Sequence, residues 1–466
     1  MFLNFNFRKI KPVFTFLLVF FLNYLLFFSL NVWYLKDWSL SGDDLYSLTN
    51  AIPNFQTFSF MAFNQFSGQY RHLTYLLFSI YKNISPNFFA IFLLHGILFS
   101  LIPTILFFVL DKHLKKWFKF LLVSSIFFTP IFYYHTYTIS SLANVLMSIL
   151  TLLLIFYYRE RRKLNSWKYS LLFLLLVIIS FTIKETFILP LSIYVLTQLL
   201  NFKEKSRESF IFIFLPTILF ISYVLRRISA YQESIPTDYY FIFSLKKAIN
   251  NFSNIFSWLI NYPKGWQYGA PIRYNPWQYF IGGFYFLILL SGTYFSYLKD
   301  KFATMINLFF ILISVAIFVF LNITHVFYMD LPFLLILILI SRALIFLINK
   351  HKKIAYLFLA MWVSINFINL FIIKPQWLEY SFVANANKAA KNYQDVLEKN
   401  SFENYDQICI MSHNRGKFGT EDGKLANHLN VKKFNIISTQ DTFFPEECLI
   451  EKSLNLVNDA WSYSLY

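Results

Sequence analysis

The chain is 466 residues long, 57% hydrophobic and only 14% charged, with a mean hydropathy of +0.50. Soluble domains carry about 25% charged residues, so this excess of apolar side chains excludes an ordinary soluble enzyme. The net charge of +17 lies wholly before Lys374, in short bursts between apolar runs and not on one soluble face, which argues against nucleic acid as a partner; 11 glycines with no G-x-G-x-x-G or G-K-[ST] pattern argue against a nucleotide site.

Apolar runs near the length that crosses a hydrocarbon core stand at 13–34, 86–110, 118–137, 139–158, 167–183, 186–200, 210–225, 277–298, 302–323, 326–348 and 354–373. The expectation is an all-α polytopic membrane protein with about 11 transmembrane helices. The bursts Arg8/Lys9/Lys11, Lys112/Lys115/Lys116/Lys119, Arg159/Arg161/Arg162/Lys163, Lys203/Lys205/Arg207, Lys299/Lys301 and Lys350/Lys352/Lys353 occupy alternate loops, which places the N-terminus in the cytoplasm. Two long loops, 36–85 and 227–276, and the tail 374–466 then lie outside the plasma membrane. The first run has a basic flank but is followed by Trp33, Tyr34 and Leu35 in place of small cleavage-site residues, so it reads as an uncleaved anchor.

After the membrane part, 1–373, the tail turns polar and its apolar runs shrink to strand length. Segments 408–411 and 434–437 predict short strands, with helical spacing over 384–397 and 425–429. A small extracytoplasmic α/β domain is expected. It holds both cysteines, Cys409 and Cys448, either bridged in an oxidising compartment or separately buried as thiols. Cys and His spacing suggests no zinc site.

The candidate chemistry lies at loop edges. Asp43 and Asp44, just beyond the first span, stand where a polar substrate and a membrane-held lipid both reach, so one is a candidate general base. Ser41 followed by Asp44 is also a helix-capping pattern, and the pair would also suit a divalent cation, though neither reading requires a metal. Arg71, in Gly68-Gln69-Tyr70-Arg71-His72, is a candidate phosphate ligand or an interfacial anchor. Lys184 and Glu185 sit in a tight turn between two runs, as functional charges or as a mutual ion pair. Arg226 and Arg227 open a second loop that also holds Trp258, Trp266 and Tyr268, a composition that suits a sugar phosphate or an interfacial aromatic belt. His325 and Asp330 are weaker candidates of the same kind.

In this order, an acidic pair after the first span, a Gly-x-Tyr-Arg element, a Lys-Glu step after the fifth span and an outer tail, the chain resembles the bacterial GT-C glycosyltransferases, the group that includes protein mannosyltransferases and aminoarabinose transferases. The resemblance covers the membrane part. It implies a polyprenyl-phosphate-linked sugar donor, a glycan, lipid or protein acceptor arriving from outside, and inversion at the anomeric carbon. Asp43 or Asp44 would be the base, Arg71 would occupy the family's Arg-Pro element with His72 in place of the proline, and Lys184-Glu185 would match its Lys-Glu pair. Lys184, Arg226 and Arg227 would face the leaving phosphate, with Glu185 and His325 supporting. A glycan polymerase or ligase, and a transporter or flippase of lipid-linked glycans, are the competing classes.

Overall fold

The computed structural model describes residues 7–36, 38, 44, 72–84, 88–160, 167–183, 187–201, 213–214, 216–218, 221–222, 244–259, 276–319, 329–380, 382–401, 404–412, 435–439, 444, 446–449, 453–459 and 462–465. Its helices are α1 (Phe7–Leu35), α2 (His72–Ile84), α3 (Phe88–Val109), α4 (Lys116–Ser124), α5 (Tyr133–Tyr137), α6 (Leu142–Glu160), α7 (Trp167–Phe181), α8 (Ile188–Asn201), α9 (Leu245–Leu259), α10 (Pro276–Lys299), α11 (Lys301–Val319), α12 (Asp330–Lys350), α13 (Lys352–Tyr380) and α14 (Phe382–Lys399).

Among the described residues five helices are long and apolar enough to cross a membrane: Pro12–Leu35, Phe89–Val109, Ile139–Glu160, Asp330–Lys350 and Lys352–Glu379. A bent pair, Lys116–Phe128 and Pro130–Tyr137, whose halves meet at 60°, is apolar enough to form either a sixth, broken span or a re-entrant loop. Ser170–Phe181, Ile188–Leu200 and Lys301–Ala316 are apolar but shorter. The fold is thus compatible with an all-α membrane protein; the expected seventh run, 210–225, falls largely outside the described residues.

The bend has a local cause. Proline disfavours the helical conformation for the residue before it and brings no N–H, and Thr129, preceding Pro130, is extended at φ −89° and ψ 126°. A second extended residue, Thr138, closes the short α5. The continuous apolar run of the sequence thus folds as helix, corner, short helix and corner before α6 begins.

One glycine sets a helix contact. A Cβ at Gly96 would lie 2.1 Å from the ring of Phe27, which is fully buried, so α1 and α3 meet there at a distance only glycine permits. Around that contact Phe27, Phe99, Phe127 and Phe132 pack ring against ring, tying α1 and α3 to the bent segment.

Helix directions sort the bundle into two ends. Asn307 donates to Leu335 O and Arg342 to Ala303 O, so α11 runs antiparallel to α12. Gly292 and Phe295 of α10 lie by Ile340 and Phe346, so α10 runs parallel to α12. Phe333 against Trp362, with Ile340 near Phe358, sets α13 antiparallel to α12. Lys299 bonds Asp111 at 2.6 Å, the Arg342 guanidinium donates to Ala303 O at 2.6 Å, and Arg159 donates to Val109 O and Leu110 O. These bonds gather the C-termini of α3, α6, α10 and α12 and the N-termini of α4, α11 and α13 at one end. It carries Lys112, Lys115, Lys116, Arg159, Lys299, Lys301, Lys350, Lys352 and Lys353.

Beyond the bundle, β1 (Gln407–Ser412), β2 (Asn435–Thr439), β3 (Ser453–Asp459) and β4 (Ser462–Leu465) form one sheet in the order β2-β1-β3-β4, with β1 parallel to both neighbours and β4 antiparallel to β3. Strand alternation decides the two faces. Ile408, Ile410, Leu454 and Leu456 pack against Ala389, Tyr393 and Leu397 of α14, while Cys409 and Met411 face Phe444 and Cys448. Cys409 and Cys448 are joined in a disulfide, with Cα atoms 5.9 Å apart. The expected boundary at 373/374 falls within α13, which continues to Tyr380. The predicted strands at 408–411 and 434–437 correspond to β1 and β2, and the helical spacing over 384–397 to α14; 425–429 lies outside the described residues.

Candidate functional site

Polar side chains concentrate at the end opposite the basic one. Asp44 is completely buried, and its Oδ1 accepts a hydrogen bond from the Ser140 N–H at 2.8 Å. Ser140 belongs to the single 3-10 turn, Ile139–Ser141, that leads into α6. The first backbone N–H groups of a helix have no partner within it, and a carboxylate there satisfies one of them and suits the helix dipole. Asp44 therefore caps a helix about a hundred residues away in sequence. The Ser41 to Asp44 spacing suggested a cap within its own segment instead; Ser41 lies outside the described residues.

A second group surrounds Lys374. Its ammonium donates to Leu30 O and to Asn31 Oδ1, both at 2.8 Å, and lies 5.1 Å from the Tyr34 ring and 5.6 Å from the Tyr137 ring. The Tyr137 hydroxyl donates to the same Asn31 oxygen at 2.8 Å, and the Trp38 indole N–H donates to Tyr137 O at 3.0 Å. Trp377 packs on both Tyr133 and Tyr137. In sequence Lys374 ends an apolar run and looks like the start of the polar tail. In the fold it is buried and ties α13 to α1.

The third group holds the bent segment from below. His135 Nε2 lies 3.6 Å from Asp330 Oδ2, with side chains 1% and 5% exposed. Ser148 Oγ of α6 donates to the same Asp330 oxygen at 3.1 Å, and the Leu331 N–H donates to Asp330 Oδ1 at 2.8 Å. His95, fully buried on α3, has Nε2 2.9 Å from His135 O and Nδ1 3.1 Å from the Tyr81 hydroxyl. A carbonyl only accepts, so Nε2 carries the proton and Nδ1 accepts from Tyr81. His95 lies about 10 Å below the start of α3 at 1.5 Å per residue.

The first corner is secured as well. The Thr129 hydroxyl is 2.9 Å from Asn366 Oδ1, which also accepts from the Tyr285 hydroxyl, and the Tyr133 hydroxyl reaches Phe128 O at 3.1 Å and Asn369 O at 3.3 Å. A helix broken inside an apolar environment exposes backbone groups that each need a partner. Here His95 of α3 reaches His135 O, Trp38 reaches Tyr137 O and Asp44 accepts from the Ser140 N–H, while Asn31 of α1 and Asn366 of α13 hold the side chains of Tyr137 and Thr129.

Of the residues expected from sequence, Asp44 and Asp330 are thus placed, in the same end of the bundle and both touching the elements that flank the bend. Asp43, Arg71, Lys184, Glu185, Arg226, Arg227 and His325 lie outside the described residues. His95, His135, Tyr81 and Lys374 were not anticipated. The signal available was a histidine inside an apolar run, Leu93-Leu94-His95-Gly96, and a second one in Tyr133-Tyr134-His135. Among the described residues no three His, Cys, Asp or Glu side chains gather as a metal site. A groove of about 360 Å³, lined by Phe256, Phe286, Leu290, Thr293, Tyr297 and Leu308 among others, runs between α9, α10 and α11 and contains none of these polar groups.

No family model matches the chain, and no curated protein matches it in sequence.

Proposed function

We propose that the protein is an inverting membrane glycosyltransferase of the GT-C type, moving a sugar from a polyprenyl-phosphate donor to a cell-envelope glycan, lipid or protein acceptor outside the plasma membrane. The observation that carries the reading is the buried Asp44 carboxylate, held against the start of α6 at the end of the bundle opposite the basic residues. In this reading the basic end faces the cytoplasm, as positive residues do. The chain crosses about 11 times, and α14 with the four-stranded sheet forms an extracytoplasmic domain. The Cys409 to Cys448 bridge supports that side, since such bonds persist in oxidising compartments.

Within the acidic pair the roles divide. Asp44 Oδ1 is engaged by a backbone N–H, so Asp44 positions the segment and its neighbour Asp43 is the base that takes the acceptor hydroxyl proton. Lys184, Arg71, Arg226 and Arg227 stabilise the charge that grows on the departing polyprenyl phosphate, supported by Glu185 and His325. Because that donor is already activated, no nucleotide site is needed.

The buried side chains of Tyr81, His95, His135 and Asp330 support a second reading, a transporter or flippase of lipid-linked glycans, because ionisable groups inside a bundle often mark transport paths; His95 meets the His135 carbonyl and not its ring, so they form no continuous relay. Glycan profiling of the envelope in a deletion strain, with mass spectrometry of polyprenyl-phosphate sugars, separates the classes. Loss of one sugar with build-up of its donor supports transfer; shortened chains support a polymerase; an intact lipid-linked glycan trapped on the cytoplasmic side supports a transporter.

A further inference from the structure

We propose that Asp330 and His135 form a positioning pair, which fixes the bent segment 130–141 against the first turn of α12 and so sets where the Ser140 N–H holds Asp44. The effect on turnover rests on the glycosyltransferase reading; the effect on the segment's geometry does not.

The segment cannot hold itself. Its helical part, the 3-10 turn Pro130–Phe132 and α5, lies between two extended residues, Thr129 and Thr138, so it continues neither the helix before it nor the one after it. So short a piece, Pro130–Tyr137, makes too few internal bonds to fix a position. The position must come from side chains, and His135 is gripped twice: the His95 N–H binds its carbonyl, and its imidazole faces Asp330. Asp330 in turn is a rigid reference. One carboxylate oxygen accepts from the Leu331 N–H at the start of α12 and the other from Ser148 on α6, where the helix N-terminus favours a negative charge. At 3.6 Å the contact is longer than a hydrogen bond, so the attraction is that of the carboxylate for an imidazolium or for a ring that carries its proton on Nε2, and burial keeps water from screening it.

The link onward to Asp44 is short. From His135 the chain reaches Ser140 within five residues, through Tyr137, which is itself held by Asn31 and Trp38, and the 3-10 turn at Ile139. Loosening His135 therefore shifts the N–H that Asp44 accepts. A displacement on the scale of 1 Å in a catalytic group costs up to about a hundredfold in rate.

The test uses the full chain in lipid nanodiscs, comparing wild type with Asp330→Asn, His135→Gln, the double variant, Ser148→Ala and Asp330→Glu. Amide exchange over 130–142, read by mass spectrometry, should rise by about tenfold in each of the first two variants. The double variant should exchange no faster than the quicker single, because both changes break one interaction. With a synthetic polyprenyl-phosphate sugar, kcat should fall roughly 10- to 100-fold with the donor KM unchanged. Asp330→Glu should recover part of both losses. Ser148→Ala, which removes only one donor to Asp330, should move both readouts in the same direction by less, and it decides the matter if the charge variants do not fold. Unchanged exchange, additive exchange in the double variant, or a rise in KM that accounts for the whole loss would overturn the proposal. A wild type that transfers no sugar, with exchange altered as expected, would remove the glycosyltransferase reading and leave the pair's role standing.

Discussion

The Asp44 carboxylate and the Ser140 N–H meet at 2.8 Å, and this bond joins the segment after the first span to the corner from which α6 starts. It divides the acidic pair into two unlike positions. Asn at position 44 keeps an oxygen that can accept from Ser140, so Asp44→Asn should fold normally and lose turnover by only about tenfold, whereas Asp44→Ala should also lose about 0.5–2 kcal/mol of stability as a cap is removed. Asp43→Asn should leave the melting temperature unchanged and lower turnover by about 10² to 10⁴. Thermal melts and initial rates on the three purified variants check this; equal losses at positions 43 and 44 would refute the division.

The contact between Gly96 and Phe27 makes a prediction independent of function. A methyl group at position 96 would overlap the Phe27 ring, so Gly96→Ala should cost about 1–3 kcal/mol. Phe27→Leu in the same chain should return part of that stability by vacating the space. A melting curve for Gly96→Ala that matches wild type would mean that α1 and α3 do not approach so closely.

At the basic end, burial alone would push the Asp111 carboxyl up, but the Lys299 ammonium and the His113 N–H bonded to it outweigh that and hold it below its usual value of 3.8. A carboxyl lowered by folding contributes stability above its unfolded value, and that contribution disappears as pH falls through the folded one. Asp111→Asn should therefore destabilise the protein at neutral pH by up to about 1 kcal/mol. The difference from wild type should fade below about pH 4. Melting temperatures at several pH values test it, and a difference that persists into strong acid would exclude the ion pair as its source.

Orientation is testable with fusions and thiols. A reporter active only in the cytoplasm should give signal when joined after Lys163 and none after Asn387. Protein labelled with a thiol reagent under non-reducing conditions should show no reactive cysteine, because its 2 cysteines are bridged. Signal from the Asn387 fusion, or free thiols in mature protein, would reverse the sidedness on which the proposed reaction depends.

Much of the bundle was legible because a membrane helix needs a long apolar run, and that signal is local. The runs at 13–34, 86–110 and 354–373 meet α1, α3 and α13 to within a few residues at most boundaries, apart from the longer tails of α1 and α13. What the sequence hid is non-local. The bend at Thr129 was available from Pro130, yet hydropathy counts the two halves as one run. The contact of His135 with Asp330 and the bond of Lys374 with Asn31 join residues about two hundred or more positions apart, and no spacing rule links them. The strand β3 was readable in principle, since Leu454 and Leu456 alternate with polar Asn455, but so short a pattern does not stand out against loop. Of the site, the sequence pointed to Asp44 as a cap or a base, and the structure supplies the helix it caps.

The central claim is transfer from a lipid-phosphate sugar with Asp43 as the base. The direct measurement is release of free polyprenyl phosphate, followed by mass spectrometry, when the purified protein in nanodiscs meets a panel of synthetic polyprenyl-phosphate sugars and an envelope acceptor extract. Release with at least one donor by wild type, inverted configuration in the product, and loss of that release in Asp43→Asn is the predicted result. No release with any donor, or an Asp43→Asn variant as active as wild type, would contradict the account.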